Sequence, residues 1–316
     1  MKIKNIEIKN NLIYAPMAGY SDFAFRSLCV MCGADYGVSE MVSAKGLFYD
    51  NQNTMDLLRT ADNETIKVAQ IFGNDPKIMA QMVKSKSLEK FDIIDINMGC
   101  PAPKIVNNAE GSALMKNLDL AHDVIKACVE ATDKPITVKF RVGFDENHKN
   151  CVEFAKMCEK AGASAITIHG RTREQFYDGL VDLDAIKKVK EAVSIPVIAN
   201  GDIVDIESYN KMMEYTGCDG AMIGRGALGR PYIFSELLGI EHNSDKMFYI
   251  KKHIEILRTV YPDEFIVRHM RKHILCYLKG ERNCAELKRN IVLINDLNEV
   301  IKLLEDFFSK NQENVE

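Results

Sequence analysis

Phe91-Asp-Ile-Ile-Asp-Ile-Asn-Met-Gly-Cys-Pro101 is an apolar run that turns polar at its end. The isoleucines make it a strand candidate, and the Gly-Cys-Pro stretch after them suits a loop. Gly99 allows a tight backbone path, and Pro101 and Pro103 stiffen the chain beyond it. A strand that ends this way lifts the Cys100 thiol out of the core, with Asn97 as a polar neighbour. The chain holds nine cysteines, and the other eight read as small buried hydrophobes.

The same pattern recurs along the chain. Apolar, mostly β-branched runs fall at 12–15, 35–39, 67–71, 92–96, 136–140, 165–168, 196–199 and 220–223. Helical stretches lie between them. Pro76 to Lys86 opens with Asp75 as N-cap and Pro76 at the first helical position. Cys151 to Ala161 ends at Gly162, and further helices span Asp182 to Ala192 and Asp205 to Tyr215. Eight strand–helix units predict a (β/α)8 TIM barrel. An open doubly wound sheet is the rival, but no Gly-x-Gly-x-x-Gly follows the first strand. Polar residues gather at the C-terminal ends of the strands, where barrels place their chemistry.

After about residue 240 the strand pattern stops. Phe248–Val260, Glu264–Lys279 and Ala285–Phe308 read as amphipathic helices, broken at Pro262 and Gly280. The chain therefore divides into an α/β barrel over 1–240 and a small helical domain over 241–316.

Composition narrows the class. The chain of 316 residues is 47% hydrophobic and 27% charged, an ordinary globular balance. No apolar run is long enough for a membrane helix, and Met1–Asn10 lacks the apolar core of a signal peptide. Scattered cysteines without a dense framework suit a reducing cytoplasm. Cys29-Val-Met-Cys32 has redox spacing but falls in a helix over Asp22–Met31, with no second pair to complete a zinc site, so no metal is expected. The net charge of −4 does not announce a nucleic-acid binder, although Arg268-His-Met-Arg-Lys-His273 is a local basic cluster.

The strand ends carry chemistry. Strand 1 closes in Ala15-Pro-Met-Ala-Gly19, whose small residues suit a flat aromatic ligand. Gln70 on strand 3 faces inward if Val68 and Phe72 share its face, and it offers both donor and acceptor to a heterocycle edge. Lys139 on strand 5 is costly to bury without an anionic or polar partner: a ring that becomes anionic on reduction would serve, and an internal salt bridge with Asp95 is the alternative. Strand 6 ends in His169-Gly-Arg171, strand 7 in Asn200-Gly-Asp202 and strand 8 in Gly224-Arg-Gly226. Barrels often bind phosphate after strands 7 and 8, and Arg225 supplies charge there. A flat heterocycle with a phosphate tail beside a thiol fits flavin mononucleotide.

On these motifs, with Ser39-Glu-Met41, Gly111-Ser-Ala-Leu114, Thr167–Thr172 and Ile195–Asp202, residues 1 to 240 resemble the bacterial tRNA-dihydrouridine synthases, most closely the B type. The resemblance implies an FMN enzyme that uses NADPH to reduce specific tRNA uridines to 5,6-dihydrouridine. Hydride would pass from reduced FMN to C6, and Cys100 would give the proton to C5. Pro16, Met17 and Ala18 would line the flavin, and Gln70 and Lys139 would contact its ring. His169, Asn200, Gly201, Asp202, Gly224 and Arg225 would hold the ring edge, ribityl chain or phosphate. Asn97, Arg141 and Arg171 would face the uridine, and Tyr177 would touch the flipped base. Arg268, Arg271 and Lys272 are candidates for phosphate contacts of tRNA, against the alternative of a solvated face. A thiol acting as acid should not be a strongly stabilised thiolate. A monomer is expected.

Two other functions remain in view. A small-molecule FMN oxidoreductase of dihydroorotate dehydrogenase type would share barrel, flavin and mouth cysteine, but has no need of a helical bundle. A non-catalytic RNA-binding barrel would need neither Cys100 nor a full phosphate site.

Overall fold

The run at 91–101 forms the strand Ile93–Met98, the fourth of eight parallel barrel strands in a computed structural model that describes residues 1–49 and 51–313. The strands are β1 (Leu12–Tyr14), β2 (Tyr36–Gly37), β3 (Val68–Phe72), β4 (Ile93–Met98), β5 (Ile136–Arg141), β6 (Ala165–His169), β7 (Val197–Asn200) and β8 (Gly220–Ile223). Each pairs in parallel with its neighbour from β3 round through β8 to β1 and β2. The ring closes where Val38 bridges Val68 and the Ser39 amide donates to the Val68 carbonyl at 3.0 Å. A two-residue strand, Val42–Ser43, extends β3 on that edge.

Sequence alternation sorts the core into two parts. Ile13, Tyr36, Val38, Val68, Ile93, Ala165, Ile198 and Met222 fill the barrel's interior. The N-terminal segment plugs its base with Ile3 and Ile8. That segment folds as a hairpin, Lys2–Ile3 against Ile6–Glu7, turning at Lys4 with φ +54°. The opposite strand faces join the surrounding helices: α1 (Phe23–Met31), α2 (Pro76–Val83), α3 (Leu118–Ala131), α4 (Cys151–Lys160), α5 (Leu183–Ala192) and α6 (Ile206–Thr216). Asp75 caps α2 by accepting from the Lys77 and Ile78 amides, with Pro76 at its first turn. Gly162 after α4 adopts φ +95°, which lets the chain reverse towards β6.

Four more helices follow: α7 (Lys246–Arg258), α8 (Asp263–Tyr277), α9 (Ala285–Ile291) and α10 (Leu297–Glu313). The single helix expected over Ala285–Phe308 is two. Asp296 takes the Glu299 amide at 2.9 Å, and Arg271 Nη2 holds the Ile294 carbonyl and Asn295 Oδ1 at 3.0 Å each. Short polar side chains that bond nearby backbone end a helix and start the next. Among the described residues no helix is long and apolar enough to cross a membrane.

The helical region docks on α1. Cys29 and Cys32 are buried in this core at 0% and 5% exposure, so the Cys-x-x-Cys spacing serves packing. Asp22 caps α1 and also meets three imidazoles from α7 and α8: His253 Nε2 at 3.4 Å, His269 Nε2 at 3.1 Å and His273 Nε2 at 3.0 Å. The Asp22, His269 and His273 ligand atoms lie within 4.8 Å of one another, close enough for a metal. However, the buried Nδ1 of His253 and both ring nitrogens of His273 have no hydrogen-bond partner among the described residues, so His273 Nε2 meets Asp22 by proximity alone. A metal-bound imidazole normally donates its other N–H, so this set fits imidazoles clasping a carboxylate better than a metal centre.

Candidate active site

Alternate residues of a barrel strand face inward, and the last inward residue of each stands at the mouth. Strand register sets Gln70 beside Asp95 and Asn97 beside Lys139. It also sets Arg141 beside His169 and His169 beside Asn200. These side chains, with Pro16, Met17, Ala18, Cys100, Tyr177, Gly201, Asp202, Gly224 and Arg225, line one cleft of ≈ 520 Å³ at the C-terminal end of the barrel; Asp95 alone lies beneath it.

A buried relay orders its centre. Thr137 Oγ1 donates to Asp95 at 2.6 Å, and Gln70 Nε2 donates to the other Asp95 oxygen at 2.7 Å. This fixes the orientation of the Gln70 amide, whose Oε1 accepts from Asn97 Nδ2 at 2.8 Å. Asn97 Oδ1 then accepts the Cys100 amide at 2.9 Å and the Gly99 amide at 3.2 Å. On its far side the Cys100 carbonyl accepts from Ser112 Oγ at 2.9 Å. Gly111 presses close: an added Cβ would lie 3.0 Å from the Cys100 oxygen at φ +61°. The thiol therefore rides on a loop pinned from both sides. Burial pushes its pKa above the ordinary value, so it is a protonated thiol at neutral pH.

Lys139 donates to Asn200 Oδ1 at 2.9 Å, and Asn200 Nδ2 donates to the Met222 carbonyl at 2.7 Å. Asp95 is taken by Gln70 and Thr137, so the alternative of a Lys139–Asp95 bridge is not what forms. Burial, with Arg141 nearby, lowers the Lys139 pKa to about 7. A cation whose hydrogen-bond partner is a neutral amide oxygen, beside an open cleft, suits a ligand that acquires negative charge there. His169 is held neutral by burial and by the surrounding Lys139, Arg141, Arg171 and Arg225.

The arginines have different places. Arg141 lines the cleft but clamps its rim, donating to the carbonyls of Gly99 at 2.7 Å, Thr172 at 2.9 Å and Phe176 at 2.8 Å. Arg171, expected to face the uridine, does not line the cleft. It is 2% exposed and pairs with Asp202 and with the Asp178 and Gly179 carbonyls through Nε and Nη2, because the chain after β6 wraps over it, while its buried Nη1 has no hydrogen-bond partner among the described residues. Asp202 is thereby held at φ +51°, a backbone region that non-glycine residues avoid. Arg225 meets Asp202 at 3.3 Å and lies 4.8 Å from the Tyr177 ring. Gly201 and Gly226 answer to packing: an added Cβ would strike Val181 at 2.4 Å or the Ile203 carbonyl at 2.3 Å.

Arg268 is exposed on α8, away from the cleft. Arg271 is occupied by the turn before α10. Lys272 is half-buried 5.7 Å from the Tyr20 ring, beside the loop after β1. Sequence reasoning missed Met41, Phe176 and Lys279, which also line the cleft. The quoted Ser39-Glu-Met41 motif pointed to the first, and the proximity of Phe176 to Tyr177 to the second. Only tertiary packing brings Lys279.

The residues present fit FMN. The Gln70 amide and Lys139 ammonium offer donors to a polar ring edge. The loops after β7 and β8 close one end of the cleft, and Pro16, Met17 and Ala18 form an apolar wall.

A sequence model of the dihydrouridine synthase (Dus) family matches residues 13–313. The tRNA-dihydrouridine synthase B of Vibrio parahaemolyticus is 41% identical over 98% of both chains. A probable tRNA-dihydrouridine synthase of Rickettsia conorii is 38% identical over 99% of this chain and 98% of its own. Among solved structures, histamine dehydrogenase from Rhizobium superposes with a TM-score of 0.57 at 13% identity, over 81% of this chain and 50% of that one. A 2-naphthoyl-CoA reductase gives 0.57 at 11% identity, over 76% and 51%. These two likenesses concern the barrel fold alone.

Proposed function

The chain belongs to the dihydrouridine synthase family, and from that premise we propose an FMN-dependent, NADPH-driven reduction of the C5–C6 bond of tRNA uridines to 5,6-dihydrouridine. The names of the relatives support tRNA as the substrate. Within the molecule, the observation that carries the reading is the Cys100 thiol on a hydrogen-bonded loop in the same cleft as Lys139 and Gln70, its pKa raised by burial.

When bound, FMN supplies the hydride that adds to C6 of the uracil. Pro16, Met17 and Ala18 line its ring, and Gln70 and Lys139 meet its polar edge. His169, Asn200, Gly201, Asp202, Gly224 and Arg225 hold the remaining ring edge, the ribityl chain and the phosphate. Cys100 gives the proton to C5, which its raised pKa suits because the acid form persists at neutral pH. Asn97 positions that thiol through the Cys100 amide. Arg141 and Tyr177 face the base, and Arg171 acts on the site through Asp202.

A uridine in folded tRNA must leave its stack to reach the barrel mouth, at a cost of a few kcal/mol. Residues 241–316 offset that cost by holding the RNA, with Arg268 and Lys272 as phosphate contacts; Arg271 shapes the turn before α10. Such contacts would make binding weaken with salt. The nicotinamide of NADPH visits the same barrel mouth in turn.

The test is incubation of FMN-loaded protein with NADPH and unmodified bulk tRNA, with dihydrouridine quantified by mass spectrometry. Dihydrouridine should accumulate in the tRNA. Its absence despite bound, reducible flavin would refute the tRNA reading.

A further inference from the structure

We propose that Lys279, supplied by the C-terminal helices, binds the phosphate of FMN, so that the helical region completes the cofactor site. The inference rests on the FMN reading above. It starts from a backbone contact. The end of α8 lies on the chain just after the β8 loop, where an added Cβ on Gly229 would sit 2.4 Å from the Cys276 carbonyl carbon and oxygen. Gly229 has φ +71°, so glycine serves both the turn and the close approach. Lys279, two residues beyond α8, lines the same cleft as Ile203, Val204 and Gly226 from the loops after β7 and β8.

Charge in this corner is otherwise largely committed. Arg171 and Arg225 both pair with Asp202. The trio nets one positive charge, whereas a phosphate monoester carries nearly two negative charges at neutral pH. Gly201, Gly224 and Gly226 contribute no charge. The Lys279 ammonium makes no ion pair or hydrogen bond among the described residues. Its own backbone is anchored, because Lys246 Nζ pairs with Glu281 at 2.6 Å and reaches the Lys279 carbonyl at 3.4 Å. A lysine after a helix also favours the negative end of the helix dipole. That role alone would not require its place in the cleft.

The experiment compares binding of FMN and riboflavin, which lacks the phosphate, to flavin-free protein by quenching of flavin fluorescence. Wild type, Lys279→Gln and Lys279→Arg are measured, with tRNA affinity read in parallel on the FMN-loaded proteins. Lys279→Gln should weaken FMN about ten-fold, the scale of one charge-assisted hydrogen bond, and leave riboflavin unchanged. Lys279→Arg should retain most of the FMN affinity. Unchanged FMN binding in Lys279→Gln overturns the inference, as does equal weakening of both flavins. Loss of tRNA affinity with FMN binding intact also overturns it and assigns the lysine to RNA phosphate. Failure of wild type to bind either flavin would instead sink the FMN reading, and this inference with it.

Discussion

Asn97→Ala should loosen the Cys100 loop by a calculable amount. Three hydrogen bonds end on the Asn97 amide: one to Gln70 Oε1 at 2.8 Å, and those from the Gly99 and Cys100 amides at 3.2 and 2.9 Å. At about 1 kcal/mol each they sum to about 3 kcal/mol. The two backbone amides are part-buried and regain water in the variant, whereas Gln70 is 1% exposed and its oxygen stays without a donor. The net loss should be about 2–3 kcal/mol, roughly 30- to 150-fold in the folding equilibrium. Urea unfolding followed by circular dichroism reads this directly. Under native conditions a thiol displaced by about an ångström should cost on the order of 100-fold in dihydrouridine formation, while NADPH still reduces the flavin. Stability within about 0.5 kcal/mol of wild type, with turnover unchanged, would refute the reasoning and leave Gly111 and Ser112 as the supports of the loop.

Glu64→Ala should cost about 3–5 kcal/mol, because it strands the guanidinium of Arg26, which is 1% exposed and paired to Glu64 at 2.6 Å; Glu64→Gln, which keeps an acceptor, should lose less in the same urea assay. Acid should destabilise the protein early. Burial lowers the His273 pKa from 6.5 to about 3, so between those values the unfolded chain binds a proton that the folded one does not, and stability falls as pH drops through the window. Asp22, held low by its histidine partners against the opposing effect of burial, adds a further loss below the ordinary carboxylate range. Unfolding free energies at a series of pH values should show a shallower slope from pH 6.5 downward in His273→Asn, and an unchanged slope would contradict the assignment.

The barrel was legible because its signals are local. Runs such as Ile93–Ile96 are strands whatever surrounds them, and Asp75-Pro76 or Ala161-Gly162 mark helix ends by their own stereochemistry. The cleft residues could be read from the strand ends for the same reason. What escaped depends on distant partners. Arg171 reads as a free cation beside a barrel mouth until the chain folds back and spends it on Asp202. Arg26 and Glu64 are 38 residues apart, and nothing nearby in sequence announces a buried pair. Lys279 lines the cleft just past the end of α8, which packs on Gly229 in a contact with no periodic signature. The break before α10 turned on Asn295 and Asp296, short polar residues that a pattern of apolar positions passes over.

The proposed role of Cys100 is proton donor to a substrate reduced in the same cleft. It is tested most directly by a single turnover of pre-reduced, FMN-loaded enzyme mixed with unmodified tRNA, comparing wild type with Cys100→Ala. Flavin oxidation and dihydrouridine formation should be fast and matched in wild type, and slowed by a factor on the order of 100 or more in the variant, with flavin binding and tRNA affinity preserved. Equal rates in the two proteins would move the acid to another group in the cleft.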